Sequence, residues 1–512
     1  MCGVFGIRST DRDAVRTTYF GLHALQHRGQ ESAGIAVSER GRLTVIRDLG
    51  LVTQVFSERN LDGLHGELAI GHTRYSTTGG HRWENAQPLI HRGRGRTIAL
   101  GHNGNLVNAS ALRSELGATL SSSSDSEVIA ALIAGDEAPL EEAVANAMAR
   151  LEGAYSVVAL SEHKLIAFRD PLGFRPLELG RLGDDWVVAS ETCALDLVGA
   201  EFVRDVAPGE VVIVDADGLC SRQAVPVGDP GAFCIFEFFY LARPDSRIEG
   251  VEAHGARVRM GERLAAEAPA EADLVLPIPD SGTPAAIGFS RASGIPFSEG
   301  LIKNRYVGRT FIQPDQKLRE QGIRLKFNPL DEVAGKRVVI VDDSIVRGNT
   351  TRQLVSMLFE AGAAEVHVRV SSPPVVGPCF YGIDLADEEE LVAAGRTVEE
   401  VRELIGATSL HYLSLEGLQG AVERPESAVC RACLTRDYPT AVPREAAKLR
   451  FEDRSKSGFG FAEAMTTSGG FLRPSESVRG PRPPCRSRRR AKLEGRSAAA
   501  ELARSEVPRP RH

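Results

Sequence analysis

Apolar and polar positions alternate over short stretches through the first 225 or so residues. "ESAGIAV", "GELAIGHTRYS", "RTIALGHNGNL", "AYSVVALS", "KLIAFRD", "DWVVASE" and "GEVVIVDADG" all show it, punctuated by Gly and Asp turns. A period of two predicts strands. Apolar spacing of helical type falls at about 13–27 and 125–150, so this half is predicted to be α+β. From about residue 250 the rhythm becomes strand, loop, helix, in "DLVLPIPDSGTPAAIGFSRASG" and "KRVVIVDDSIVRGNTTRQLVSMLFEAGAAEVHVRVSSP". Such alternation predicts a doubly wound, largely parallel sheet with ligands beyond the carboxyl ends of its strands. The change of rhythm sets a boundary near 225–250 and divides the chain into residues 2–230 and 231–443.

Composition narrows the class. A chain of 512 residues is too long for one ordinary core. With 42% hydrophobic and 25% charged residues it reads as soluble and globular. There is no run of 18 apolar residues, and Asp11, Arg12 and Asp13 interrupt the start before a signal-peptide core could form, so a cytoplasmic location is expected. Eight cysteines, sparse and unevenly spaced, point to reduced thiols or metal ligands rather than a disulfide framework. The net charge of −7 conceals an asymmetry: residues 444–512 hold 17 Lys+Arg against 8 Asp+Glu, leaving −16 for residues 1–443. This tail is rich in Arg, Pro, Gly and Ser and lacks apolar periodicity, so it is expected to be disordered and dispensable. It also lacks the interleaved aromatics of a nucleic-acid-binding arm.

In "VVIVDDSIVRGNTT" an apolar strand ends in Asp342 and Asp343, and a loop from Ser344 to Thr351 leads into an amphipathic helix. Loop N–H groups, the positive end of the helix and the Ser344, Thr350 and Thr351 hydroxyls suit a phosphate. The acidic pair suits sugar hydroxyls or a Mg²⁺ shared with phosphates. This stretch resembles the signature of type I phosphoribosyltransferases, which bind 5-phosphoribosyl 1-diphosphate (PRPP). The resemblance implies that Asp342 and Asp343 contact the ribose and Mg²⁺, and that Ser344, Arg347, Gly348, Asn349, Thr350 and Thr351 hold the 5-phosphate. "PDSGTPAA" then looks like the pyrophosphate loop, with Ser281 near the metal, and the basic segment from Lys303 to Pro329 looks like the mobile loop that excludes water.

The chain begins "MCGVFGI". Removal of Met1 would give Cys2 a free α-amino group of pKa about 8, able to act as base for its own thiol. Arg74 in "GHTRYSTTG" suits a substrate carboxylate, and Asp125 in "SSSSDSE" suits an ammonium. Asn103 and Gly104 in "GHNGNL" offer an amide and a backbone N–H for a tetrahedral oxyanion. Together they describe glutamine hydrolysis. With "QHRGQESAG" they resemble class II glutamine amidotransferases of the N-terminal-nucleophile fold, whose layers run αββα.

Both halves, in this order, resemble the amidophosphoribosyltransferase family from Cys2 to about Pro443. The resemblance implies that ammonia freed at Cys2 passes through an internal channel and displaces pyrophosphate from PRPP. The products are 5-phosphoribosylamine, glutamate and pyrophosphate, in the committed step of de novo purine synthesis. It further implies homotetramers or dimers inhibited by purine nucleotides, with no nucleic-acid or membrane partner. Two rival readings are weighed against it. A glucosamine-phosphate or asparagine synthase leaves the signature at 338–351 without a purpose, and a PRPP-sensing regulator with a dead site has no need of Cys2, Arg74 and Asn103.

Cys234, Cys379, Cys430 and Cys433 remain. A CxxC plus two distant cysteines permits Cys₄ ligation, and spacing alone does not separate zinc from iron–sulfur. The resemblance reaches the branch of the family that holds one 4Fe-4S cluster on cysteines in these contexts. Members of that branch often carry a leader cleaved ahead of the nucleophile, whereas ordinary methionine removal is expected to suffice here.

Overall fold

Strands alternate so regularly in the first half that each can bury two faces, and the computed structural model shows the result. It describes residues 2–10, 12–76, 79–117, 120–304, 323–385 and 388–442. The strands are β1 (Gly3–Arg8), β2 (Ser32–Glu39), β3 (Arg42–Leu49), β4 (Leu68–Arg74), β5 (Leu89–Arg92), β6 (Thr97–Leu106), β7 (Gly153–Leu160), β8 (Leu165–Arg169), β9 (Glu178–Leu182), β10 (Asp185–Ala189), β11 (Glu201–Asp205), β12 (Glu210–Asp215) and β13 (Gly218–Gln223). One sheet has the order β11-β9-β10-β1-β4-β2-β3 and the other β13-β12-β8-β7-β6-β5.

The alternation sorts side chains into layers. Val4, Ile70, Val158, Leu160 and Val212 meet between the two sheets. Phe5 and Ile7 point the other way, against Val15 and Leu22 of the helix Ala14–Ala24. Tyr155, Val157 and Ala159 likewise face the helices Ser126–Gly135 and Leu140–Met148. The layers are αββα. The long helical stretch expected near 125–150 is two helices, because Asp136 and the Pro139 cap interrupt the ladder.

In the second half, Leu274–Pro277, Arg337–Asp342, Glu365–Val370 and Ser409–Tyr412 form a parallel sheet in that order. Val275, Val339 and Val341 face the helices Ala253–Glu267 and Thr283–Ser293. Val338, Ile340, Val366 and Val368 face Asn349–Glu360 and Val398–Ile405. Both halves lie in one compact unit, Met1–Asp453. The expected tail and residues 305–322 of the expected mobile loop lie outside the described residues. Among the described residues no helix is long and apolar enough to cross a membrane.

One buried acid makes the fold pH-sensitive. Glu178 of β9 is fully buried, opposite Asp205 of β11 in the register, and neither of its carboxylate oxygens has a hydrogen-bond donor among the described residues. Burial, and then the Asp205 carboxyl, push its pKa well up, against the pull of Arg169. The folded state therefore keeps a proton that the unfolded chain loses near the ordinary carboxyl value, so stability falls as pH rises toward the raised value. Glu178→Gln removes that titration. Thermal melts should show the variant gaining on wild type as pH rises above the ordinary carboxyl range; a pH-independent difference would contradict the assignment.

Candidate active site

The first strand begins where the two sheets of the first half come together, which places Cys2 beside β4 and β6. Gly3 pairs with Thr73, so Cys2 lies next to the end of β4. Cys2 is buried; its N–H donates to Asn103 Oδ1 at 3.3 Å, and its thiol points to the Tyr75 carbonyl at 3.5 Å. Burial raises the thiol pKa, with the chain's terminal ammonium pulling it back down. Asn103 is fully buried, and its Nδ2 has no partner among the described residues. An orphaned amide donor beside a thiol fits a group that stabilises charge only when substrate is present. Gly104 follows on the same strand.

Arg74 closes β4, buried, with its guanidinium 3.6 Å from Glu31 and donating to the Gly79 and Gly80 carbonyls. Asp125 is held by the Leu106 N–H at 2.9 Å and stands 4.0 Å from His102. His102 is a buried residue whose pKa burial lowers, so it is neutral; it bonds to Ser126 and the Ala154 carbonyl. Through these bonds it ties the strand that carries Asn103 to the helix that begins at Ser126.

At the second centre, Asp342 and Asp343 end a strand that lies between two others in the parallel sheet. Asp343 N–H donates to Asp342 Oδ1 at 2.9 Å, and Ser344 Oγ to Asp343 Oδ1 at 2.6 Å. Ser281, from the neighbouring strand-to-helix loop, also hydrogen-bonds Asp343. Burial raises both carboxyl pKa values, and for Asp342 the neighbouring Asp343 adds to the rise. Two buried carboxylates this close, with a serine, are a donor set suited to a hard divalent cation. Gly348 caps the helix that starts at Asn349, and Thr351 is buried in its first turn.

Residues 72–197 match the model of a glutamine amidotransferase domain, and residues 248–372 that of a phosphoribosyl transferase domain. An amidophosphoribosyltransferase of Mycobacterium bovis is 53% identical over 463 residues, covering 87% of this chain and 88% of its own. The chain belongs to the amidophosphoribosyltransferase family. The Bacillus subtilis member is 49% identical over 451 residues, covering 86% of this chain and 94% of its own. A solved B. subtilis glutamine PRPP amidotransferase, complexed with ADP and GMP, superposes with a TM-score of 0.81 at 47% identity. It covers 87% of this chain and 99% of its own.

The two halves touch beside Gly104, Asn105 and Tyr75. Gly382 lies so close that a Cβ on it would stand 3.0 Å from the Gly104 carbonyl carbon. Asn105 Nδ2 donates to the Phe380 carbonyl at 2.8 Å and Tyr75 Oη to Asp384 at 3.1 Å. Arg175 donates to the Tyr381 carbonyl. Sequence reasoning missed Glu31, Tyr75 and the segment 380–384. Glu31 holds Ser76 through its N–H and hydroxyl, bracing the residues after Arg74. No local signal announces contacts between residues about 300 positions apart.

The four cysteines converge from three chain segments. Cys234 and Cys430 are register partners in the short parallel pairing of Phe233–Cys234 with Val429–Cys430. Cys433 follows on the next turn, near enough to Cys379, Cys234 and Cys430 for their thiols to raise its pKa beyond what burial does. Burial pushes Cys234 up to about 11 and raises Cys430 and Cys433 as well. All seven cysteines among the described residues are free. Among those residues no three His, Cys, Asp or Glu side chains are grouped to hold a metal ion.

Proposed function

We propose that this chain makes 5-phosphoribosylamine, glutamate and pyrophosphate from PRPP, glutamine and water, as the first committed step of purine synthesis. The observation that carries the reading is the buried Cys2, whose N–H bonds Asn103 Oδ1 while the Asn103 Nδ2 stays orphaned among the described residues, in one compact unit with a paired-aspartate loop. Residues 2–230 act on glutamine and residues 231–443 on PRPP. Cys2 is the nucleophile, Arg74 and Asp125 grip the glutamine carboxylate and ammonium, and Asn103 with the Gly104 N–H receive the oxyanion.

Asp342, Asp343 and Ser281 would hold Mg²⁺, and the loop from Ser344 to Thr351 the 5-phosphate. When bound, Mg²⁺ offsets the pyrophosphate charge. Purine nucleotides are proposed as feedback inhibitors, supported by the relative solved with ADP and GMP, and the chain as a cytoplasmic homotetramer or dimer. Pyrophosphate release from PRPP should require Mg²⁺ and either glutamine or ammonia. Release that persists in excess chelator, or that needs neither nitrogen source, would contradict the reading.

Cys234, Cys379, Cys430 and Cys433 are proposed to bind one 4Fe-4S cluster. Three buried thiols, Cys234, Cys430 and Cys433, with the partly buried Cys379 and the Arg175 guanidinium nearby, fit such a group. A polynuclear cluster gives each thiolate its own iron and tolerates wider spacing than a single tetrahedral ion. When bound it would staple distant segments and stabilise the fold by mass action. Anaerobically purified protein should be brown with about four irons per chain, and Cys430→Ser should lower iron content and folded yield together. Stoichiometric zinc without iron would overturn the cluster, and stable metal-free protein the site itself.

A further inference from the structure

Arg347 lies in the middle of the loop read as the phosphate cradle, yet its side chain turns toward residues 388–392. Its Nε donates to Glu390 Oε2 at 2.9 Å, and its Nη2 to the same oxygen. The flanking loop residues are gripped by the same segment. The Val392 N–H donates to the Val346 carbonyl at 2.8 Å. Gly348 has φ +75°, and a Cβ there would stand 3.2 Å from Val392 Cγ2. Val392 is itself buried in the core that contains Ile345. Three consecutive residues of the loop are thus held by one turn.

The guanidinium, about half exposed, also lies in an acidic environment. Besides Glu390, it faces Asp384 and the Tyr75 hydroxyl. A phosphate dianion brought to the same guanidinium would sit beside the Glu390 carboxylate, which repels it. The backbone amides and hydroxyls of the loop are free of that conflict and suffice to cradle a phosphate.

We propose that Arg347 anchors the phosphate loop through Glu390 rather than binding the phosphate, making Glu390 and Val392 positioning residues for PRPP. This rests on the reading of Ser344–Thr351 as the PRPP loop. An anchored loop presents its amides in the bound geometry before substrate arrives, which lowers the cost of binding and leaves the chemical step alone.

The test is the ammonia-dependent reaction of Arg347→Gln, Glu390→Gln and the double variant, read as KM for PRPP and kcat, with thermal midpoints on the same samples. Each single change should raise KM about fivefold with kcat within about twofold, and the double variant should be no worse than either single. A structural defect would lower the midpoint and kcat together instead. If Arg347→Gln raises KM tenfold or more beyond Glu390→Gln, or the two effects multiply, Arg347 binds phosphate directly and the proposal is overturned. Should Arg347→Gln not fold, Glu390→Gln and Val392→Ala decide: an unchanged KM in both overturns the anchor. Wild type without PRPP turnover would instead sink the reading of the loop.

Discussion

Cys2→Ala is expected to abolish glutamine-dependent synthesis, by at least about a thousandfold or about 4 kcal/mol of barrier, while added ammonia still supports product formation. The Cys2 thiol is the nucleophile of the proposed hydrolysis, so alanine leaves no sulfur to form the acyl intermediate. The substitution removes one buried sulfur from the first half, and the Asp342–Asp343 loop of the second is built without it. Rates with glutamine and with ammonia, measured on the same preparation, check this. Equal loss of both would contradict the division of labour between the halves.

Asp343→Asn is expected to slow transfer with ammonia and with glutamine alike, by about tenfold to a hundredfold, or about 1.4–2.7 kcal/mol. Asp343 accepts from Ser344 and Ser281 and faces the buried Arg257, so its carboxylate is oriented from three sides. The isosteric amide keeps the shape but removes a charge that ribose and Mg²⁺ both require. Hydrolysis of glutamine without PRPP should be spared. Ammonia-dependent turnover within about twofold of wild type, a shift of about 0.4 kcal/mol, would contradict the role.

Period-two strands that bury both faces were legible because every second apolar residue has a core to enter, as in β7, where all eight residues are buried. Several strands missing from the sequence reading are marginal: β3 and β13 expose most of one face, and β11 is a sheet edge with Phe202 and Val203 in solvent, whereas β9, buried inside its sheet, is too short to show alternation. Edge strands carry little apolar alternation. Site residues followed the same division. Asp342, Asp343 and Cys2 sit at or next to strand ends inside local motifs, which is why the sequence singles them out. Glu31, Tyr75 and Glu390 act on loops far from them in sequence, so only the fold reveals them. Arg347 stands between the two: the motif implies a phosphate contact, and the fold adds a bond to Glu390 that no local pattern announces.

The central claim is that one chain joins glutamine hydrolysis to amination of PRPP. The most direct measurement is glutamate and pyrophosphate quantified in the same reaction of purified protein with glutamine, PRPP and Mg²⁺. The account predicts that the two appear in equal amounts and that omitting PRPP suppresses glutamate release. Glutamate formed at the same rate without PRPP and unmatched by pyrophosphate would contradict it.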